Sequence, residues 1–186
     1  TRVGTESTWT ALYVGGHGSQ GHSCALKDGG ELWCWGNNGG AQLGDGTYTE
    51  RSAPTRIGTA IGWSDIALAD YGGCGLRAGE LWCWGDNNSG AVGDGSGMRQ
   101  PSPVRIGVEG DWDEVVARGF SRCAIRAGQL WCWGANTYGQ LGDGTTTNQP
   151  TPKRVGAADD WEQAWMQGSV TCGRRTSSGV SCWGQD

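Results

Sequence analysis

A block of about 49 residues passes four times through this chain of 186 residues, and nothing else in the sequence narrows the fold as much. Each pass holds an Arg-Ile/Val-Gly tripeptide, a Trp five residues after its Gly, a Cys, and a Cys-Trp-Gly. The tripeptides are Arg2-Val3-Gly4, Arg56-Ile57-Gly58, Arg105-Ile106-Gly107 and Arg154-Val155-Gly156, followed by Trp9, Trp63, Trp112 and Trp161. After the first three Cys-Trp-Gly sites comes a turn-rich segment ending in Leu43-Gly44-Asp45-Gly46, Val92-Gly93-Asp94-Gly95 or Leu141-Gly142-Asp143-Gly144. Pro54, Pro103 and Pro152 then close the units, which run over about 1–53, 54–102, 103–151 and 152–186 within one expected repeat domain, 1–186. The chain opens after the place where a proline would close a unit and stops at Cys182-Trp183-Gly184-Gln185-Asp186, before a Gly-Asp-Gly segment. One unit is therefore expected to be divided between the two termini.

Within a unit the apolar stretches are four to six residues long, are separated by Gly, Asn and Asp, and sustain no helical period over ten residues. They read as strands. The 36 glycines recur at fixed offsets, as turn positions do and as a disordered linker does not, and the 12 tryptophans supply core. Stretches such as Asp65-Ile66-Ala67-Leu68-Ala69 lack polar alternation, which suits a strand buried on both faces where the blades of a β-propeller pack side by side. Leucine-rich repeats are shorter, and helical repeats lack this glycine and tryptophan load. The expected fold is all-β: a propeller or propeller fragment of about four antiparallel four-stranded blades, one of them split.

The wording Trp35-Gly36-Asn37-Asn38 with Gln42-Leu43-Gly44-Asp45-Gly46-Thr47, and Trp133-Gly134-Ala135-Asn136 with Gly139-Gln140-Leu141-Gly142-Asp143-Gly144-Thr145, resembles the repeat of the regulator of chromosome condensation family. The resemblance covers nearly the whole chain and implies a propeller, commonly of seven blades. The sequence departs from the family pattern before the first cysteine of each unit: His22-Ser23 stands there once, against Gly72-Gly73, Ser121-Arg122 and Val170-Thr171.

Eight cysteines fall into four local pairs: Cys24 with Cys34, Cys74 with Cys83, Cys123 with Cys132, and Cys172 with Cys182. Two-residue turns at Ala78-Gly79 and Ala127-Gly128, and three-residue turns at Asp28-Gly29-Gly30 and Thr176-Ser177-Ser178, each place the two cysteines directly opposite on a hairpin. Opposed Cα atoms lie about 4.5–5.5 Å apart, within disulfide reach. Cross-strand disulfides are preferred over free buried thiols or zinc, whose structural sites take cysteines closer together. Each short-loop bridge is expected to stabilise by about 1–3 kcal/mol. Such bridges place the chain in an oxidising compartment: secreted, cell-surface or periplasmic.

The formal net charge of −5 argues against nucleic-acid binding, and no apolar stretch is long enough to span a bilayer as a helix. The chain begins at Thr1 without a charged-then-apolar leader. Two histidines, His17 and His22, and the lack of any nucleophile elbow, phosphate loop or zinc motif give no catalytic constellation, no cofactor and no metal site. Asp45, Asp94 and Asp143 read as turn formers, with calcium as a lesser alternative. Where the units disagree, function can be local: the interval from Trp to Cys is four residues longer in the first unit, so Val14 to Gly21 carries an insertion with His17 and Gln20 in or beside it. Variable residues after each Gly-Asp-Gly form a second candidate set: Tyr48, Glu50 and Arg51, then Met98 and Arg99, then Thr147 and Asn148. The leading reading is a non-catalytic extracellular scaffold or protein-interaction module, with self-association through the split blade as one mode. A carbohydrate-binding module using Tyr48, Tyr71 or Tyr138 is the alternative, and an enzyme using the loop near His17 and His22 a second one.

Overall fold

The computed structural model describes residues 8–185. Its strands form four antiparallel sheets, each meandering in sequence order. Blade 1 holds β1 (Trp9–Gly15), β2 (His22–Lys27), β3 (Glu31–Gly36) and β4 (Arg51–Arg56); blade 2 holds β5 (Trp63–Leu68), β6 (Gly72–Arg77), β7 (Glu80–Gly85) and β8 (Gln100–Arg105). Blade 3 holds β9 (Trp112–Arg118), β10 (Ser121–Arg126), β11 (Gln129–Gly134) and β12 (Gln149–Arg154). Blade 4 has three strands among the described residues: β13 (Trp161–Gln167), β14 (Val170–Arg175) and β15 (Gly179–Gly184). The expected contribution of the N-terminus to this blade falls on residues 1–7, outside the described residues. The first strands β1, β5, β9 and β13 pack on one another in turn and are the inner strands of a propeller array.

The hairpin registers follow the turn residues. Ala78 and Gly79 both take positive φ, +50° and +74°, as a two-residue hairpin turn of this hand requires, and Cys74 pairs with Cys83. All four expected disulfides are present, with Cα atoms 4.1, 4.0, 4.1 and 4.0 Å apart, and no described cysteine is free.

The core lies between blades. Each of its three layers joins the disulfide side of one blade to the tryptophans of the next: Cys74, Leu76, Leu81, Cys83, Val92 and Ile106 of blade 2 meet Trp112, Val115, Ala124 and Trp133 of blade 3. The equivalent layers join blade 1 to blade 2 and blade 3 to blade 4. A repeated latch fixes the spacing. The indole N–H of Trp84 donates to the Gln42 carbonyl of the preceding blade at 2.8 Å, Trp133 to Ala91 at 3.1 Å, and Trp183 to Gln140 at 3.1 Å. Glycine is required where the loop meets the indole: at Gly93, with φ +88°, a Cβ would stand 2.6 Å from the Trp133 ring nitrogen. The second glycine of the first two Gly-Asp-Gly segments ties the loop to the next blade's outermost strand, Gly46 N–H donating to Pro101 O at 2.8 Å and Gly95 N–H to Pro150 O at 3.0 Å.

The two ends of the array differ. On blade 1, Leu12 occupies the place of buried Ile66, Val115 and Ala164 but is 66% exposed, and Val14 is 74% exposed. On the far side of blade 4, Arg174 stands where Leu26, Leu76 and Ile125 stand in the other blades, paired with Glu162 at 2.8 Å, and Cys182 and Val180 are exposed.

Candidate functional site

The loops joining the first two strands of blades 1, 2 and 3 meet at one end of the array. Gly16 (φ +76°) and Gly18 (φ +54°) let the inserted segment double back as a short 3-10 turn over Gly18–Gln20, closed by Gln20 N–H donating to His17 O at 3.0 Å. That turn brings His17 Nδ1 to 3.4 Å from Asp70 Oδ1 of blade 2, within ion-pair range but without hydrogen-bond alignment. Tyr71, beside Asp70, stacks on Phe120 of blade 3 with ring centroids 5.0 Å apart. Arg122 of blade 3 is fully buried and donates from Nη1 to the carbonyls of Gly119 and Ser121, at 3.1 and 2.9 Å.

Electrostatics couple the cluster. Burial pushes Arg122 down to about 10, with Asp70 opposing the shift, so the guanidinium stays charged at neutral pH. Burial likewise lowers His22, against the Gln20 carbonyl 3.3 Å from its Nδ1 and the Asp70 carboxylate. Arg122 Nε, Asp70 Oδ1 and His22 Nε2 have no hydrogen-bond partner within the protein. The Ser121 hydroxyl beside them donates to Ala135 O at 2.8 Å. These contacts hold the three loops against one another, and among the described residues of the cluster no base is hydrogen-bonded to a free nucleophile.

On the rim side of the insertion, Gly18, Ser19, Gly21, Gly36, Asn37, Glu50, Arg51 and Ser52 line a groove of about 360 Å³. The structure thus brings together two of the segments singled out in sequence. Gln20 supports the groove's edge by accepting from Gln42 Nε2 at 3.3 Å, and Arg51 is held by Asp45 at 2.6 Å. Tyr48 is exposed outside it. Met98 and Arg99 belong to blade 2, Met98 exposed and Arg99 paired with Asp86 at 2.8 Å, and they do not reach this groove. Sequence reasoning missed Asp70 and Arg122 as site residues; the signal was Arg122 itself, a long charged side chain where the other units have Ser23, Gly73 and Thr171.

The Gly-Asp-Gly carboxylates brace their loops. Asp143 Oδ1 accepts from Thr145 N–H at 2.9 Å and from Asn136 Nδ2 at 3.1 Å, and Asp45 and Asp94 repeat both bonds. Burial opposes ionisation of all three, yet their donors outweigh it and hold them below the usual carboxylate range, Asp143 at about 2. A carboxyl with a lower pKa folded than unfolded takes up its proton preferentially in the unfolded chain. Stability from these groups is therefore intact above about pH 4, and that from Asp143 is lost as pH falls through about 2. Urea unfolding between those limits is expected to show a steep loss of stability, made shallower by Asp143→Asn; an unchanged slope in the variant would refute the assignment.

Among the described residues no helix is long and apolar enough to cross a membrane, and no group of three or more His, Cys, Asp or Glu could hold a metal ion. No curated protein matches the chain in sequence. A family model of the regulator of chromosome condensation (RCC1) repeat matches residues 127–179, and a second model of that repeat matches residues 18–42. In fold the chain is similar to human WBSCR16, with a TM-score of 0.81 and 20% identity, covering 99% of this chain and 50% of that one. It is similar to yeast RCC1 (Prp20), solved bound to Kap60, with a TM-score of 0.81 and 18% identity, covering 98% and 45%. The CRINKLY WD40 ectodomain of the Arabidopsis thaliana receptor kinase ACR4 matches with a TM-score of 0.51 and 18% identity, covering 96% and 54%. The chain spans about half the length of these structures. Two separate segments of the chain thus match models of the regulator of chromosome condensation repeat, and the chain as a whole has the fold of an array of propeller blades.

Proposed function

We propose that this propeller is a non-catalytic protein-interaction module of an extracellular or periplasmic compartment, binding through the face built by the first loops of blades 1, 2 and 3. The carrying observation is the junction of His17, Asp70, Tyr71, Phe120 and Arg122, which locks three variable loops into one surface. The four disulfides support an oxidising compartment. Rigid blades beneath variable loops suit recognition by a preorganised surface.

The test is immobilised protein presented to arrays of secreted proteins and of glycans. A protein partner is expected whose affinity falls about tenfold or more when residues 17–20 are deleted, a loss of at least 1.4 kcal/mol, and which is indifferent to Arg174→Ala on blade 4. Binding confined to glycans and lost with Tyr48→Ala or Tyr138→Ala, both exposed side chains, would transfer the reading to carbohydrate recognition. Partner binding untouched by the deletion would remove the face from the proposal.

A further inference from the structure

Each pair of consecutive blades leaves a groove at the rim, and the first two grooves are built by residues 49 positions apart in sequence. Between blades 1 and 2 the walls are Trp63, Trp82 and Pro103, with Arg77 inside, around about 210 Å³. Between blades 2 and 3 they are Trp112, Trp131 and Pro152, with Arg126 inside, around about 310 Å³. Both guanidinium groups lie against the indoles: Arg77 is 4.0 Å from the Trp82 centroid and 5.4 Å from that of Trp63, and Arg126 is 5.1 and 5.2 Å from its pair.

What differs is the acid. The turn before blade 3 puts Glu109 into its groove, with Oε1 3.1 Å from Arg126 Nη1, and adds Asp111 at 3.6 Å. The turn before blade 4 supplies Asp160 to Arg175 at 2.6 Å. In the turn before blade 2 the matching positions are Ala60 and Gly62, with Ala60 lining the groove where Glu109 lines the other. The carboxylate contact of Arg77 is Glu80 at 3.8 Å, and Glu80 is already engaged by Arg105 at 3.0 Å and by the Trp82 indole N–H at 3.1 Å. Arg77 is 23% exposed, so its charge is reachable from solvent.

We propose that the groove between blades 1 and 2 receives the carboxylate of an aspartate or glutamate side chain from a protein partner, seated on Arg77 as Glu109 is seated on Arg126. Indole walls that exclude water strengthen a charge-assisted pair, and Ala60 leaves room for the incoming side chain. Ile61, next to Ala60 in the chain and exposed, offers an apolar contact to the residues flanking the acid. Arg77 stands at the end of β6 remote from Asp70, so this site is separate from the loop face and stands or falls without it.

The experiment follows the indole N–H resonances of ¹⁵N-labelled protein during titration with N-acetylglutamic acid N-methylamide, its glutamine counterpart and acetate. Saturable shifts are expected at Trp63 and Trp82 with the glutamate compound and shifts about fivefold or more smaller with glutamine. Ala60→Glu should abolish the response by filling the site, while Glu109→Ala combined with Asp111→Gly, the residues found before blade 2, should create the same response at Trp112 and Trp131. Equal shifts with glutamate and glutamine, or a response that survives in Ala60→Glu, would overturn the proposal. Acetate saturating as readily as the glutamate compound would overturn the assignment to a protein side chain. Should Ala60→Glu fail to fold, the gain or non-gain of a second response in the Glu109→Ala, Asp111→Gly double variant decides.

Discussion

Replacing Asn136 with alanine is expected to cost the folded protein about 3–5 kcal/mol, read as a shift in the urea midpoint followed by tryptophan emission. The side chain is fully buried. Its Nδ2 donates to Asp143 Oδ1 at 3.1 Å, Thr145 O at 3.0 Å and Thr147 O at 3.1 Å, and its Oδ1 accepts from Leu141 N–H at 2.9 Å. Alanine would leave a carboxylate, two carbonyls and an amide without this partner in one dry loop. That loop delivers Leu141 to the layer between blades 3 and 4 and Gly142 to the face of Trp183, so its loosening reaches the junction as well. Asn38 and Asn87 hold the same hub in the other blades. The exposed Asn88, changed to alanine, should stay within about 0.5 kcal/mol of wild type. A loss below about 1 kcal/mol at Asn136 would mean that water replaces the hub at little cost.

Limited reduction should open Cys172–Cys182 on the order of tenfold or more faster than any other disulfide. The other three pairs lie buried in layers covered by the next blade, so a reductant reaches them only after a junction opens. Cys182 is exposed on the side of blade 4 that no described blade covers. Brief treatment with dithiothreitol, alkylation and peptide mass mapping reads the order. Simultaneous opening of all four, or a buried pair opening first, would show that the junctions breathe faster than the exposed bond exchanges.

What could be read from sequence was what local chemistry decides. The turn at Ala78-Gly79 fixes which residues oppose one another, so the Cys74–Cys83 pairing followed from counting outward from the turn. The role of Asp45 as a loop brace was legible for the same reason, because its partners Thr47 and Asn38 lie within seven residues. The latch was not: Trp84 and Gln42 are 42 residues apart, and an indole that caps a carbonyl on another blade leaves no local pattern. The candidate site was legible in part. Extra length around His17 marked the insertion, but its partner Asp70 sits in a unit of ordinary length, and the junction with Arg122 requires three sheets to be in place first.

Because every hydrophobic layer is shared by two neighbouring blades, the unit of inheritance and the unit of cohesion are offset from each other by half a repeat. Duplicating one 49-residue segment at any interior boundary would add one blade and one finished junction, with each Trp meeting a loop carbonyl and each glycine meeting a Trp as before. Copy number in such an array can drift by unequal exchange without redesign of any side chain.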